Sequence, residues 1–195
     1  MEGRKSNSGK VVVISGPSGV GKSTICREVV KRLSNIYLSV SVTTRPKAEG
    51  EVDGREYWFL SQKQFQERIN KGLLLEYAEV FGSLYGTPKD KVDEALKAGK
   101  VTILEIDVQG GRAVKKICPD AVMIFIMPPV KKELARRISG RGRDKIEAAE
   151  RRLNIADSEI AVGRKYYRYV VVNDDLQKAI NDVVSIIQQN TGGKE

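Results

Sequence analysis

The chain of 195 residues contains no histidine, and it has only two cysteines and one tryptophan. The absence of histidine excludes Ser-His and Cys-His catalysis, and it excludes metal sites built on imidazole. The two cysteines, Cys26 and Cys118, lie far apart in apolar surroundings. This placement predicts buried free thiols rather than a metal or redox site.

Long hydrophobic runs are also missing. The longest apolar stretches, such as residues 121–129, are too short to span a bilayer. The first nine residues include basic side chains with no apolar segment behind them, which predicts a frayed tail and no secretory signal. We therefore expect a cytoplasmic protein without a membrane partner.

Positive charge, in contrast, is abundant. The formal net charge is +9, from 34 Lys and Arg against 25 Asp and Glu. Such a balance favours anionic partners, and nucleic acid, nucleotides and acidic lipid all fit it. The length suffices for one compact core with an inserted subdomain.

Short β-rich apolar runs alternate with amphipathic helical patterns along the chain. Strands are predicted at 10–15, 37–42, 74–80, 101–106, 121–127 and 169–172. Helices are predicted at 22–34, 62–72, 87–99, 111–117, 130–139 and 175–189, and a long one ends near 164 after a break at 140–144. In the third helix, Thr87 is expected as N-cap with Pro88 in the first turn. The alternation predicts an α/β fold with a parallel sheet covered on both faces, and the irregular region 37–86 is interpreted as an insertion.

The first motif follows the first predicted strand. Residues 16–23 read GPSGVGKS, which fits G-x-x-x-x-G-K-[ST] between a strand and a helix. In such a loop, backbone N–H groups converge on phosphate oxygens at a helix N-terminus, and Lys and Ser reach phosphate and Mg²⁺. The alternative is a chance glycine-rich turn, which the complete context makes a poor explanation. The residues expected to bind ATP here are Gly16, Pro17, Ser18, Gly19, Val20, Gly21, Lys22, Ser23 and Thr24, with Lys22 catalytic and Ser23 a metal ligand.

An acidic residue, Asp107, ends the predicted strand VTILEID. An acid at the carboxyl edge of a central strand beside a phosphate loop commonly orients Mg²⁺, and we expect this role. The alternative is an aspartate that caps a loop or helix.

A highly charged, glycine-containing joint occupies residues 136–152, which read RRISGRGRDKIEAAERR. Such a joint can close over phosphates, and Arg141 and Arg152 are candidates to neutralise charge on the transferring group. For most arginines in this stretch, the alternative of a solvated basic face holds.

A second cluster indicates an anionic acceptor, because a hydrolase needs only the phosphate loop. Arg45 and Lys47, with Tyr57 and Tyr85, are candidates to hold a second phosphate. Glu76, aided by Glu105, is a candidate to accept both N1–H and N2–H₂ of guanine, a pattern that adenine cannot match. For Glu76, the alternative is a surface charge on an edge strand.

Taken together, these blocks resemble guanylate kinase, the family that phosphorylates GMP from ATP. The resemblance covers nearly the whole chain, in the expected order and spacing, through VVVISGPSGVGKST, SVSVTTRPKAEGEVDGREYWF, LLEYAEVFGSLYGTP, ILEIDVQG, IFIMPP, RISGRGRD and VVVND. It implies a P-loop kinase fold with a core (10–36, 88–130 and 153–195), a GMP-binding subdomain (37–87) and a lid (131–152).

The resemblance also implies roles for particular residues. Positions matching Arg45, Tyr57 and Tyr85 lie at the GMP phosphate, and those matching Ser41, Glu76 and Thr87 read guanine. Those matching Arg141 and Arg152 contact ATP phosphates, Arg137 matches a basic residue of the lid, and Asn173 matches a residue near the adenine.

Two positions depart from the family pattern. The family's second arginine at the GMP phosphate falls at Ala48 here, and the adjacent Lys47 lacks the bidentate fork of arginine. Glu105 stands where aspartate is common, so the carboxylate reaches one methylene further.

The implied chemistry needs no general base, because the GMP phosphate is largely ionised near neutral pH. Lys22, Mg²⁺ and the lid arginines would position and neutralise the phosphates. Three alternatives are weighed: a guanylate-kinase-like scaffold domain, a nucleic-acid-binding protein, and a kinase acting on AMP or UMP. The intact phosphate loop argues against a scaffold domain, and the absence of a nucleic-acid motif argues against a nucleic-acid-binding protein. Glu76 argues against a kinase that acts on AMP or UMP. The sequence assigns no oligomeric state.

Overall fold

The computed structural model describes residues 9–139 and 146–192, and within these it leaves aside the side chains of residues 131, 137–139 and 146–152. The described chain forms two sheets and seven helices. Within the described residues, no helix is both long enough and apolar enough to cross a membrane.

The central sheet has five parallel strands in the order β2-β7-β1-β8-β9. Its strands are β1 (Lys10–Ser15), β2 (Ile36–Leu38), β7 (Val101–Glu105), β8 (Val122–Met127) and β9 (Tyr169–Val172). Strand β1 lies in the middle and is almost entirely buried, as its continuous apolar sequence requires.

Helices cover both faces of this sheet. The described helices are α1 (Lys22–Arg32), α2 (Gln62–Asn70), α3 (Lys89–Lys97), α4 (Val108–Ile117), α5 (Lys131–Ser139), α6 (Ile146–Tyr166) and α7 (Leu176–Thr191), and of these α2 belongs to the inserted region. Alternate residues of β1 point to opposite faces, so Val12 and Ile14 join one hydrophobic cluster with α1 and α7. Val11 and Val13 join a second cluster with α4. The predicted parallel sheet flanked by helices is confirmed.

A second, four-stranded sheet is built from the region that the sequence marked as irregular. Its order is β4-β3-β6-β5, with β3 (Val42–Thr43), β4 (Trp58–Phe59), β5 (Leu74–Val80) and β6 (Ser83–Pro88). Strands β5 and β6 form an antiparallel hairpin in which Glu76 lies opposite Thr87. This pairing places the two side chains on the same face of the sheet.

Several predicted boundaries were wrong. Thr87 and Pro88 end β6, and α3 begins at Lys89 with Pro88 as an N-cap that makes no side-chain cap. The Thr87 hydroxyl instead bonds across the hairpin to Glu76. The predicted strand at 37–42 divides into β2 and β3, which belong to different sheets. Helix α4 begins at Val108 rather than 111, because Asp107 caps it.

Candidate active site

The phosphate loop connects β1 to α1, as predicted. Gly21 is the N-cap of α1 with φ 101°, a left-handed conformation that favours glycine, and it provides no side chain to cap the helix. The free N–H groups of the first turn therefore remain available to an anion. The Lys22 ammonium donates to the carbonyls of Gly16 and Pro17, the latter at 3.0 Å, so it lies folded over the loop.

Asn173 supports this loop from behind. Its side-chain amide donates to the Val20 carbonyl at 2.8 Å, and only 4% of the residue is exposed. A Cβ at Gly21 would come within 2.7 Å of the Asn173 amide nitrogen, so only glycine allows this approach. Sequence analysis assigned Asn173 to the adenine site, and the structure places its amide against the loop backbone.

Two carboxylates flank the carboxyl end of β7. The Ser23 hydroxyl donates to Oε1 of Glu105 at 2.6 Å, which joins the phosphate loop to a residue that sequence analysis assigned to the base. Asp107 accepts from the Gly110 N–H at 2.8 Å as N-cap of α4, so the capping alternative is realised. Burial raises the pKa of Asp107.

These oxygen donors fit Mg²⁺, a hard cation that prefers oxygen ligands. The Ser23 hydroxyl and the carboxylates of Glu105 and Asp107 lie at the mouth of the loop. No group of three or more acidic, cysteine or histidine side chains that could cage a metal occurs among the described residues.

Glu76 lies on β5, and its buried carboxylate faces the first turn of α4. It is 7% exposed, and the Thr87 hydroxyl donates to its Oε1 at 2.6 Å. Burial, with a smaller contribution from the Asp107 charge, raises the pKa of Glu76 to about 7. A Cβ at Gly110 would lie 2.6 Å from Oε2 of Glu76, so the glycine admits the carboxylate against the first turn of α4. The surface-charge alternative for Glu76 is therefore wrong.

A second polar cluster surrounds Arg45. Its guanidinium carbon lies 5.3 Å from the ring centre of Tyr57 and 5.6 Å from that of Phe59. Both carboxylate oxygens of Glu51 accept from its Nη2, at 2.8 and 3.0 Å. The Tyr57 and Tyr85 rings meet edge to face at 5.7 Å. The structure thus brings Arg45, Tyr57 and Tyr85 together.

The loop that departs from the family pattern is held by the same carboxylate. The backbone N–H of Ala48 donates to Oε2 of Glu51 at 2.7 Å, and Ala48 is half-buried. Lys47 is exposed beside it. Ser41 is half-buried next to β3, and its carbonyl accepts from the Trp58 N–H at 2.9 Å.

The proposed lid residues are described only in part. Arg141 lies outside the described residues. Arg137 and Arg152 fall within α5 and α6, and their side chains lie outside the described part of the structure.

Sequence analysis missed three side chains at this site. Glu51 and Phe59 contact Arg45. In the sequence, only their nearness to the TTRP block could have indicated that they belong to the site. Glu159 of α6 is half-buried, and burial raises its pKa to about 7 while the nearby Lys22 charge opposes the rise. Glu159 belongs to no sequence motif.

Comparison with known proteins identifies relatives of nearly the whole chain. The family model for guanylate kinase matches residues 8–190. The guanylate kinase of Carboxydothermus hydrogenoformans is 46% identical over 181 residues, covering 93% of this chain and 88% of that protein. That of Symbiobacterium thermophilum is 48% identical over 179 residues, covering 92% and 84%.

A solved structure matches as well. The crystal structure of guanylate kinase from Anaplasma phagocytophilum superimposes with a TM-score of 0.81 at 33% identity, covering 96% of this chain and 88% of that one. The family match, the relatives and the shared fold lead to one conclusion. The chain belongs to the guanylate kinase family.

Proposed function

We propose that the loop around Lys22 holds the phosphoryl donor and that the pocket around Glu76 and Arg45 holds the acceptor. As a guanylate kinase, the chain is a nucleoside monophosphate kinase that phosphorylates GMP to GDP with ATP as donor. The observation that supports this division into two sites is the buried Glu76 carboxylate, which lies against the first turn of α4 and away from the residues of the phosphate loop in the sequence.

In the donor site, residues 16–24 bind the ATP phosphates, and Asn173 positions the loop through Val20. Mg²⁺, when bound, neutralises the phosphates and helps to orient them. Ser23, Glu105 and Asp107 would hold it, directly or through water. Glu105 is assigned here, as well as to the base, because its carboxylate contacts Ser23.

In the acceptor site, Glu76 and Thr87 read guanine, with Ser41 at the edge of the pocket. Glu76 accepts paired donors, and the Thr87 bond fixes the orientation of the carboxylate. Arg45, Tyr57 and Tyr85 hold the GMP phosphate. Because the Glu51 carboxylate accepts from Nη2 of Arg45, we expect the phosphate to compete with Glu51 for that guanidinium.

Catalysis rests on positioning and charge neutralisation. Lys22 acts from the loop, and Arg141 and Arg152 act from the lid region, 131–152, when both substrates are bound. Closure over both substrates would exclude water and suppress hydrolysis of ATP. We place the enzyme in the cytoplasm, in purine nucleotide metabolism, with dGMP as a second acceptor.

A panel of acceptors tests this assignment. With ATP and Mg²⁺ in a coupled assay, GMP should be the best acceptor, dGMP should follow because the site reads the base and the phosphate, and AMP, UMP and CMP should be poor. If AMP outperformed GMP, guanine reading by Glu76 would be wrong. A chain that phosphorylated none of them would contradict the enzyme assignment and favour a scaffold domain.

Lys47 offers a narrower prediction at the position where the family has its second arginine. If exposed Lys47 supplies the missing cation, Lys47→Ala should raise the KM for GMP by about 2- to 5-fold, as expected for one screened charge, with kcat unchanged. Ala48→Arg should lower the KM for GMP, because a guanidinium binds phosphate through a bidentate fork. Lys63→Ala, which removes an exposed lysine of α2, is the control. Unchanged KM values in both variants would show that a second basic contact is dispensable.

A further inference from the structure

A buried chain of hydrogen bonds connects the end of α6 to the candidate active site. Tyr167 follows α6, is 5% exposed, and donates from its hydroxyl to the Ser15 hydroxyl at 2.8 Å. Ser15 is fully buried and donates in turn to the backbone carbonyl of Asp107 at 3.2 Å. The three residues are far apart in the sequence, so this contact is made only in the folded protein.

Two of these three residues, Ser15 and Asp107, lie at functional positions. Ser15 is the last residue of β1 and precedes Gly16 of the phosphate loop. The Asp107 carbonyl also accepts from the Gly111 N–H at 2.9 Å. Two donors therefore hold the peptide group that joins Asp107 to α4, while the Gly110 N–H of the same turn holds the Asp107 carboxylate.

The first turn of α4 is shaped to admit the tyrosine. A Cβ at Gly111 would lie 1.9 Å from the Tyr167 hydroxyl and 3.3 Å from the Ser15 hydroxyl. The adjacent Gly110 leaves room for Glu76 in the same way. The turn thus has the guanine-reading carboxylate against one glycine and the tyrosine hydroxyl against the next.

The ring of Tyr167 is also held firmly. It packs on Phe125 of β8 with the ring centres 5.5 Å apart. One helical turn before it, Gly163 lets α6 lie directly on the same phenylalanine, since a Cβ there would fall 2.5 Å from the Phe125 ring. Helix α6 includes Arg152 and Glu159, and Tyr167 follows it directly. The Tyr167 hydroxyl bond therefore ties the end of this helix to the loops that are proposed to hold the nucleotides.

We infer that Tyr167 is a positioning residue for phosphoryl transfer, acting through Ser15 on the phosphate loop and on the peptide group of Asp107. The inference rests on the roles proposed above for Asp107 and the loop. On this inference, Tyr167 acts through Ser15 and not by direct contact with a substrate. Its hydroxyl holds two segments in register that must both meet the transferred phosphoryl group.

The test compares two tyrosines that each make one side-chain hydrogen bond. Tyr167→Phe should lower kcat by about tenfold, in the range found when an outer partner of a reacting group is removed. The KM values for GMP and ATP should change by less than about twofold, because the direct contacts remain. Tyr169→Phe is the matched control, since its hydroxyl donates to Asn190 of α7 at 3.0 Å. Both variants should lose similar thermal stability, and only the first should lose kcat.

A double-mutant cycle separates positioning from general destabilisation. Ser15→Ala removes the middle of the chain and should reproduce the kcat loss of Tyr167→Phe, and it serves as the assayed variant if Tyr167→Phe does not fold. The double variant should lose no more than either single variant, because both act through one path. A wild-type kcat in Tyr167→Phe, or losses that simply add, would overturn the inference. A parent chain inactive towards GMP would instead contradict the proposed function.

Discussion

Lys22→Met should abolish phosphoryl transfer to GMP and leave the fold intact. The ammonium is the cation that the structure places directly over the phosphate loop, where it is held by the carbonyls of Gly16 and Pro17. In the reaction, those carbonyls would give way to phosphate oxygens, whose charge increases towards the transition state. Removing one such donor costs about 10²- to 10³-fold in kcat, so turnover should fall at least this far. Initial rates at saturating GMP and ATP provide the measurement.

The control for this variant is Lys31→Met on the same helix. Lys31 is exposed in the last turn of α1, at the end away from the loop, and it pairs with Glu28 one turn before it. Its loss should leave kcat unchanged. Because the methionine retains the apolar length of the lysine side chain, Lys22→Met should unfold within a few degrees of the parent. Near-normal turnover in a folded Lys22→Met protein would refute the phosphate-loop assignment.

The features that sequence analysis predicted well are local. The phosphate loop depends on eight consecutive residues, 16–23, whose glycines, lysine and serine need only the strand before them and the helix after them. The central strands were recognisable because buried parallel strands are continuous apolar runs. Two boundary errors occurred where a side chain chose one of two partners, as when Thr87 bonded Glu76 instead of capping α3. The predicted strand at 37–42 was divided because its two halves pair in different sheets.

What sequence analysis could not supply was contact between distant segments. Glu105 and Asp107 are two residues apart, and the strand geometry alone does not decide which faces Ser23 and which lies nearer Glu76. The Tyr167 hydroxyl reaches a serine 152 residues away, through a gap that exists only because Gly111 lacks a side chain. No periodicity or local motif encodes such a meeting, since packing of α6 on β8 produces it.

Glu76→Gln is expected to remove the preference for guanine. The carboxylate presents two acceptor oxygens, whereas an amide presents one acceptor and one N–H group that faces a donor of the base. The loss of a bidentate pair should lower kcat/KM for GMP by about 10²-fold. IMP lacks the 2-amino group, so the parent should prefer GMP to IMP, and the variant should show little preference. Glu79→Gln, an exposed change on the same strand, is the control.

The same carboxyl group gives the acceptor preference a pH dependence. Burial raises the pKa of Glu76 from its ordinary 4.5 to about 7, so the free enzyme takes up a proton near neutrality and loses the ability to accept both donors. The ratio of kcat/KM for GMP to that for IMP should therefore fall as pH drops below 7, and this ratio cancels the ionisation that the two phosphates share.

The free energy of unfolding should change with pH in the opposite direction. The protonated group stabilises the fold fully below pH 4.5, and this stabilisation is lost as pH rises through 7, because the folded state binds the proton more tightly than the unfolded one. Glu76→Gln should abolish the pH dependence of the GMP-to-IMP ratio and reduce that of stability, to which the buried Glu159 also contributes. A GMP-to-IMP ratio that stayed constant across this range in the parent would show that Glu76 does not read the base.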